Sequence, residues 1–372
     1  MPPKTYGDEI LGKATDDFLN SLKGSPPPAP PPLPEKARQV VGKVREVLAP
    51  SRVLDYALDR MIQKAPGLAS DSSKEELRTF LANYLTEHPE HQIALDPDES
   101  RYALDIQTPR DVYWELLEGL AAIEGFKPSW LGTIRVYTKY IDIPNATAEW
   151  YPRANDPRAY DLAINQGLWW FISAFSKVLA LWFAPHGEEI PMVDGHTRIE
   201  LLRGILSLLE DNPQALKEIA PLRVRRPEQD IVSQRFARHA KQFVIGHEVA
   251  HAWLRHPETS VPRVEMGRRE LWAQEHAADK RAVTILMGAN MASDDVNDFE
   301  WAYLGADLFL SLVGLLELAF PTGGQSHPPA QLRQQRLREH LRETIGEGAA
   351  SAMVQKAAAC DSLMAEIGRQ AT

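Results

Sequence analysis

The stretch Gln242 to His256, QFVIGHEVAHAWLRH, constrains this chain more than any other. Ala237, Ala240, Phe243, Val244, Ile245, Val249, Ala250, Trp253 and Leu254 make it apolar enough for a buried helix, predicted from about Glu228 to Arg255. Arg235, Arg238, Lys241 and Arg255 supply its solvated positions. Inside it, His247, Glu248 and His251 form an H-E-x-x-H arrangement. Residues four apart share a helix face, so both imidazoles can reach one metal ion. Glu248 follows the first His and can address a water on that ion. The plainer alternative is a buried helix whose histidines only hydrogen-bond. Gly246 directly precedes His247. A glycine costs a helix roughly 1 kcal/mol relative to Ala, which points to close packing of another backbone beside the site.

A catalytic zinc takes three protein ligands and keeps one position open. One class supplies a third His at H-E-x-x-H-x-x-G-x-x-H. Here Leu254 stands at the Gly position and Pro257 at the His position, which excludes that class. Another class takes a Glu from a following helix. Glu270 to Met287, ELWAQEHAADKRAVTILM, is such a segment. Its Glu275 and Asp279 are four apart and share a face, while Ala277, Ala278 and Ala282 allow two helices to pack closely. Glu275 can bind the metal, and Asp279 can orient a ligand His by accepting its second ring N–H. Competing third ligands are Glu270, His276 and His256; the last, five residues after His251, is expected to point off the ligand face.

With these two motifs the chain resembles the gluzincin metallopeptidases and is similar to their HtpX and CaaX-prenyl-protease branch, over roughly Asp161 to Arg336. The resemblance implies His247, His251 and Glu275 as ligands of one zinc ion, Glu248 as general base, and Asp279 as the residue that orients a ligand. It extends to Ser326–Leu337, SHPPAQLRQQRL, a His-Pro segment before an Arg-bearing helix. There His327 is a candidate catalytic donor to the oxyanion, and Arg333 or Arg336 a brace. The alternative is a loop His before a Pro-started helix. The branch also implies an edge strand that pairs with an extended substrate, a role assigned to Tyr160–Asn165, YDLAIN.

Composition bounds the remaining possibilities. The net charge of −10 disfavours nucleic acid or an anionic membrane as the main partner. A single cysteine, Cys360, leaves no disulfide framework and no Cys-rich zinc site, and fits a reducing, cytoplasmic compartment. The N-terminus has no positively charged start followed by an apolar run. Two greasy stretches fall short as membrane spans: Trp169–Ala184 is short and holds Lys177, and Trp301–Phe320 holds Asp307 and Glu317. Both are expected as buried helices.

Four regions follow. Residues 1–34 end in SPPPAPPPLP, a semi-rigid spacer or a ligand for a partner protein. Residues 35–125 are expected as a helical accessory region, a second place for a protein partner, with Val40, Val41, Val44 and Leu48 on one helix face. Residues 126–345 are expected as a zincin-like domain, and 346–372 as a C-terminal helix. In the third region Thr133–Ile143 is predicted as a strand or hairpin, Asn155-Asp156-Pro157 as a turn between strand-like pieces, and Leu168–Ala184 as a helix behind the sheet. Asp194 and His196 form a weak Asp-x-His pair, expected as a turn before a helix rather than as a second metal site.

The expected fold class is thus α+β, mostly helical, with a small sheet beside the metal helix. The expected activity is hydrolysis of peptide bonds in proteins or peptides by a zinc-activated water. The alternatives are a catalytically silent binding module on the same scaffold and a zinc hydrolase of a non-peptide amide. The intact Glu248 argues against the first, since a pure scaffold has no need of a carboxylate there.

Overall fold

The computed structural model describes residues 33–48, 58, 61–62, 76–77, 80–81, 109–121, 133–141, 145–152, 159–182, 195–219, 222–258, 266–291, 298–319 and 327–371. The Pro-rich run before Leu33, the Asn155-Asp156-Pro157 turn, Asp194 and most of 49–108 lie outside the described residues.

The architecture is mostly helical with one small sheet. Helix α1, Glu35–Val47, buries Ala37, Val41 and Val44. Helix α2, Pro109–Ala121, starts on a proline, whose fixed φ suits a first helical turn. It buries Val112, Tyr113, Leu116 and Leu120. Three strands follow: β1, Thr133–Lys139; β2, Ala146–Trp150; and β3, Ala159–Asn165. Their order is β1-β3-β2, with β1 parallel and β2 antiparallel to β3.

This order corrects the expectation for Tyr160–Asn165. That strand is central, not an edge, and both of its hydrogen-bonding edges are already filled. The edge role came from the resemblance alone; in the structure Arg135 of β1 covers the polar Asp161 with bonds of 2.8 and 2.5 Å. Among the described residues β2 pairs with β3 on one side and with no strand on the other. Tyr151 N–H donates to Ala159 and Asn165 N–H donates to Asn145. Antiparallel bonding alternates, so Ala146, Ala148 and Trp150 turn their main-chain groups away from β3.

Helix α3, Gln166–Ala180, leaves β3 without a loop and is buried along nearly its whole length. Its Phe171, Phe175, Val178 and Leu179 belong to a core layer with α1 and helix α4, Gly195–Asp211. Its Leu168, Trp169 and Ile172 face the other layer, which holds the sheet and the remaining helices. These are α5, Pro227–Trp253; α6, Arg268–Met291; α7, Asp298–Ala319; α8, Ala330–Ile345; and α9, Glu347–Ala371. Among the described residues Asp298–Glu317 is long and apolar enough to cross a membrane, a correction to the expectation from its acids. More than half of it is buried against other helices, as in a core helix. Asp307 survives there because Tyr303, Gln334 and Arg338 all hydrogen-bond to it. Arg338 also reaches Asp361 and ties α9 to α7 and α8.

Helices α5 and α7 cross at near backbone contact. A Cβ on Gly305 would meet His239 Cβ and lie 2.7 Å from the His239 carbonyl carbon and 2.9 Å from Ala240 N. Backbone cannot yield as a side chain can, so Gly305→Ala must push the helices apart. Overpacking of this kind costs about 1–3 kcal/mol or more. Gly42→Ala in α1 meets nothing within 4 Å, and removing a helical glycine there should stabilise by up to about 1 kcal/mol. Urea unfolding of both variants checks this; equal midpoints would show that the α5–α7 crossing is looser than described.

Candidate metal centre

The site forms where α5 and α6 pack together. A Cβ on Gly246 would lie 2.7 Å from Leu286 Cδ1 and 3.6 Å from the Ala282 carbonyl. The glycine before His247 therefore serves the close approach that its position suggested. Ala278 and Ala282 are fully buried on the facing helix. That approach brings Glu275 up against the two histidines.

His247 Nε2 and His251 Nε2 are 3.0 Å apart. Glu275 Oε2 lies 3.3 Å from His247 Nε2, and Oε1 lies 3.6 Å from His251 Nε2. All three residues are buried, Glu275 completely. Metal–ligand bonds of about 2.0–2.1 Å in a tetrahedron place ligand atoms about 3.3–3.4 Å apart. The three separations bracket that value, so the donor set fits a zinc-sized cation. Two imidazole nitrogens that face each other also need a proton or a cation between their lone pairs. Among the described residues this is the only such group of possible ligands.

Asp279, one turn beyond Glu275, is also buried. Its Oδ1 lies 2.9 Å from His247 Nδ1, close enough for charge pairing though off the line of an ideal hydrogen bond. Arg333 of α8 grips Asp279 with two bonds, Nε to Oδ2 at 2.8 Å and Nη2 to Oδ1 at 2.7 Å. A chain of contacts thus runs from α8 through Asp279 to the outer nitrogen of His247.

The electrostatics favour positive charge at this point. Burial works against charge on His247, but the Asp279 and Glu275 carboxylates outweigh it and lift the imidazole to about 10. Burial likewise opposes the charged form of Glu275, yet His247 and the neighbouring imidazoles hold its carboxyl well below the usual range. Asp279 is held low against its own burial, chiefly by Arg333. His239, also buried in α5, shows the contrast. Burial and the Arg238 charge push it down to about 3, and it merely hydrogen-bonds Gln242 at 2.8 Å. Buried histidines on one helix thus divide into a neutral core residue and a pair facing carboxylates.

Of the other candidates, Glu248 is buried beside His247. His327 sits at the mouth, half-exposed, with Nε2 3.6 Å from Glu275 Oε1. Arg333 braces the centre, whereas Arg336 pairs with Glu339 on the exposed side of α8. Glu270 is exposed in the first turn of α6, and His276 is outside the ligand group. His196 pairs with Glu200 on α4, exposed. His256 holds a surprise: it is no part of the ligand group, but its Nδ1 lies 2.9 Å from Nδ1 of His251.

Residues 131–353, more than half of the chain, match the Peptidase U49 family. The chain belongs to that family. It is a peptidase, and the matched span carries the whole His247–His251–Glu275 group together with Asp279, His327 and Arg333. No curated protein and no solved structure matches it.

In this U49 peptidase the Arg333–Asp279 pair should be a strong structural element. Removing one partner of a buried pair strands the other charge and costs about 3–5 kcal/mol. Arg333→Met should therefore lower stability by that order, and Arg333→Lys by less. Chemical denaturation measures it; an Arg333→Met midpoint equal to wild type would mean that water, not Arg333, compensates Asp279.

Proposed function

We propose that the protein is a zinc-dependent endopeptidase whose ion is held by His247, His251 and Glu275, with Glu248 as general base. The observation that carries this reading is the convergence of three buried ligand atoms, with a buried Glu248 directly after His247, in a chain of a peptidase family. A zinc ion there supplies Lewis-acid chemistry, polarising the scissile carbonyl and acidifying the attacking water. The Glu248 carboxylate accepts the water proton as attack occurs and returns it to the leaving amine. Asp279, backed by Arg333, holds His247 in the orientation that aims Nε2 at the ion. His327, with Nε2 3.6 Å from Glu275 Oε1, is the donor to the oxyanion in this reading.

The substrate is a protein or peptide that lies extended along the sheet. β2 packs on α5 and on the short His256–Glu258 turn, and among the described residues no strand lies on its outer side. Main-chain bonding to that edge holds a peptide irrespective of its side chains. The reading places the enzyme in a reducing, cytoplasmic compartment, on the ground of its lone cysteine.

Glu248→Gln is the test. General-base catalysis is worth about 10²–10⁴-fold, so the variant should lose at least that much kcat on a peptide library while retaining wild-type metal content. Undiminished cleavage by Glu248→Gln would remove Glu248 from the mechanism. Cleavage by wild type that resists exhaustive metal chelation would remove the metal.

A further inference from the structure

Helix α5 ends at Trp253, and Leu254 is still helical at φ −80°, ψ −1°. Arg255 then takes φ +60°, the left-handed region, and no other described residue except glycine does so. A residue with a Cβ pays for that conformation, and it persists only where surrounding contacts enforce it. In a continuing helix, His256 would lie about 140° around the axis from His251. The left-handed turn instead swings its ring back over the end of α5. His256 Nδ1 comes to 2.9 Å from His251 Nδ1, with the rings 4.9 Å apart and steeply inclined.

Several bonds hold the turn. Arg255 N–H donates to Ala252 O at 3.1 Å, and Glu258 N–H donates to Arg255 O at 3.1 Å. Arg255 Nε donates to Glu258 Oε2 at 2.6 Å. The Tyr160 hydroxyl of β3 donates to the other oxygen of Glu258, which anchors the turn to the central strand.

Two ring nitrogens at hydrogen-bond distance share one proton. His251 Nε2 needs its lone pair for a metal ion, so the His251 proton sits on Nδ1. His256 Nδ1 must then accept, and the proton of His256 sits on Nε2. We propose that His256 is a positioning residue of the metal centre. Its Nδ1 accepts from His251 Nδ1–H and so fixes the tautomer and ring plane of that ligand, the part that Asp279 plays for His247. The two ligand histidines therefore have unlike supports, a buried carboxylate behind one and a half-buried imidazole behind the other.

This inference rests on the reading of His251 as a metal ligand, and the experiment separates the two. Zinc affinity of the full chain is measured by competition with a chromophoric chelator for wild type, His256→Ala, His256→Asn and His247→Ala. Loss of a ligand's supporting partner weakens metal binding about 10–100-fold, the result expected for His256→Ala. Asn sets an amide oxygen near the place of Nδ1, so His256→Asn should recover most of the affinity. Unfolding midpoints of the metal-free Ala and Asn variants should agree, which separates orientation from folding. Wild-type affinity in His256→Ala, or equal weakness in the Ala and Asn variants, overturns the role of His256 while leaving the metal site intact. Wild type binding zinc no better than His247→Ala overturns the metal reading, and this inference with it.

Discussion

Two carboxylates buried four residues apart on α6 set the terms for the rest of the molecule. Glu275 and Asp279 are both almost wholly removed from water. A carboxylate in such a place stays ionised only where positive charge and hydrogen bonds meet it. For Asp279 the compensation is Arg333, gripping it from α8. For Glu275 it is the pair of imidazoles on α5, with His327 at the mouth. The arrangement requires α5 and α6 in close approach, and Gly246 against Ala282 allows it. A cation between His247, His251 and Glu275 would complete the same scheme, since it would neutralise Glu275 and remove the need for a proton between the facing nitrogens.

The helical parts of this scheme were legible in the sequence because their signals are local. H-E-x-x-H and E-x-x-x-D each place their pair on one face by the helical period alone. The apolar pattern around them marked both helices as buried, and the alanines and Gly246 announced a close contact. Asp279 was expected to orient a ligand His, and the resemblance offered Arg333 or Arg336 as a brace; the structure sets Asp279 beside His247 and Arg333 on Asp279. The membership of residues 131–353 in a peptidase family agrees with the expected class of reaction.

The sheet and the turn after α5 were less legible, for two different physical reasons. Strand order depends on pairings between distant segments. Tyr160–Asn165 was expected as an edge from the resemblance, but Arg135 of β1 neutralises Asp161 and makes a central position possible. Among the described residues β2, which packs on the metal helix, has no strand on its other side. His256 stays outside the ligand group as expected, but its contact with the outer nitrogen of His251 was missed because helical spacing was carried past the end of the helix. A single left-handed residue, Arg255, changes the direction of the chain, and a side chain expected to point away returns to His251. Nothing in the local composition marks Arg255 for that conformation, since Gly or Asn is the usual choice there. The bond from Tyr160 to Glu258 that secures the turn comes from far along the chain.

The most direct measurement is anomalous X-ray scattering at the zinc absorption edge from crystals of the full chain grown without chelator. A single strong peak is expected, about 2.0–2.2 Å from His247 Nε2, His251 Nε2 and a Glu275 oxygen. A peak with other ligands, or none at this point in zinc-replete crystals, would contradict the assignment of these three residues as a metal centre.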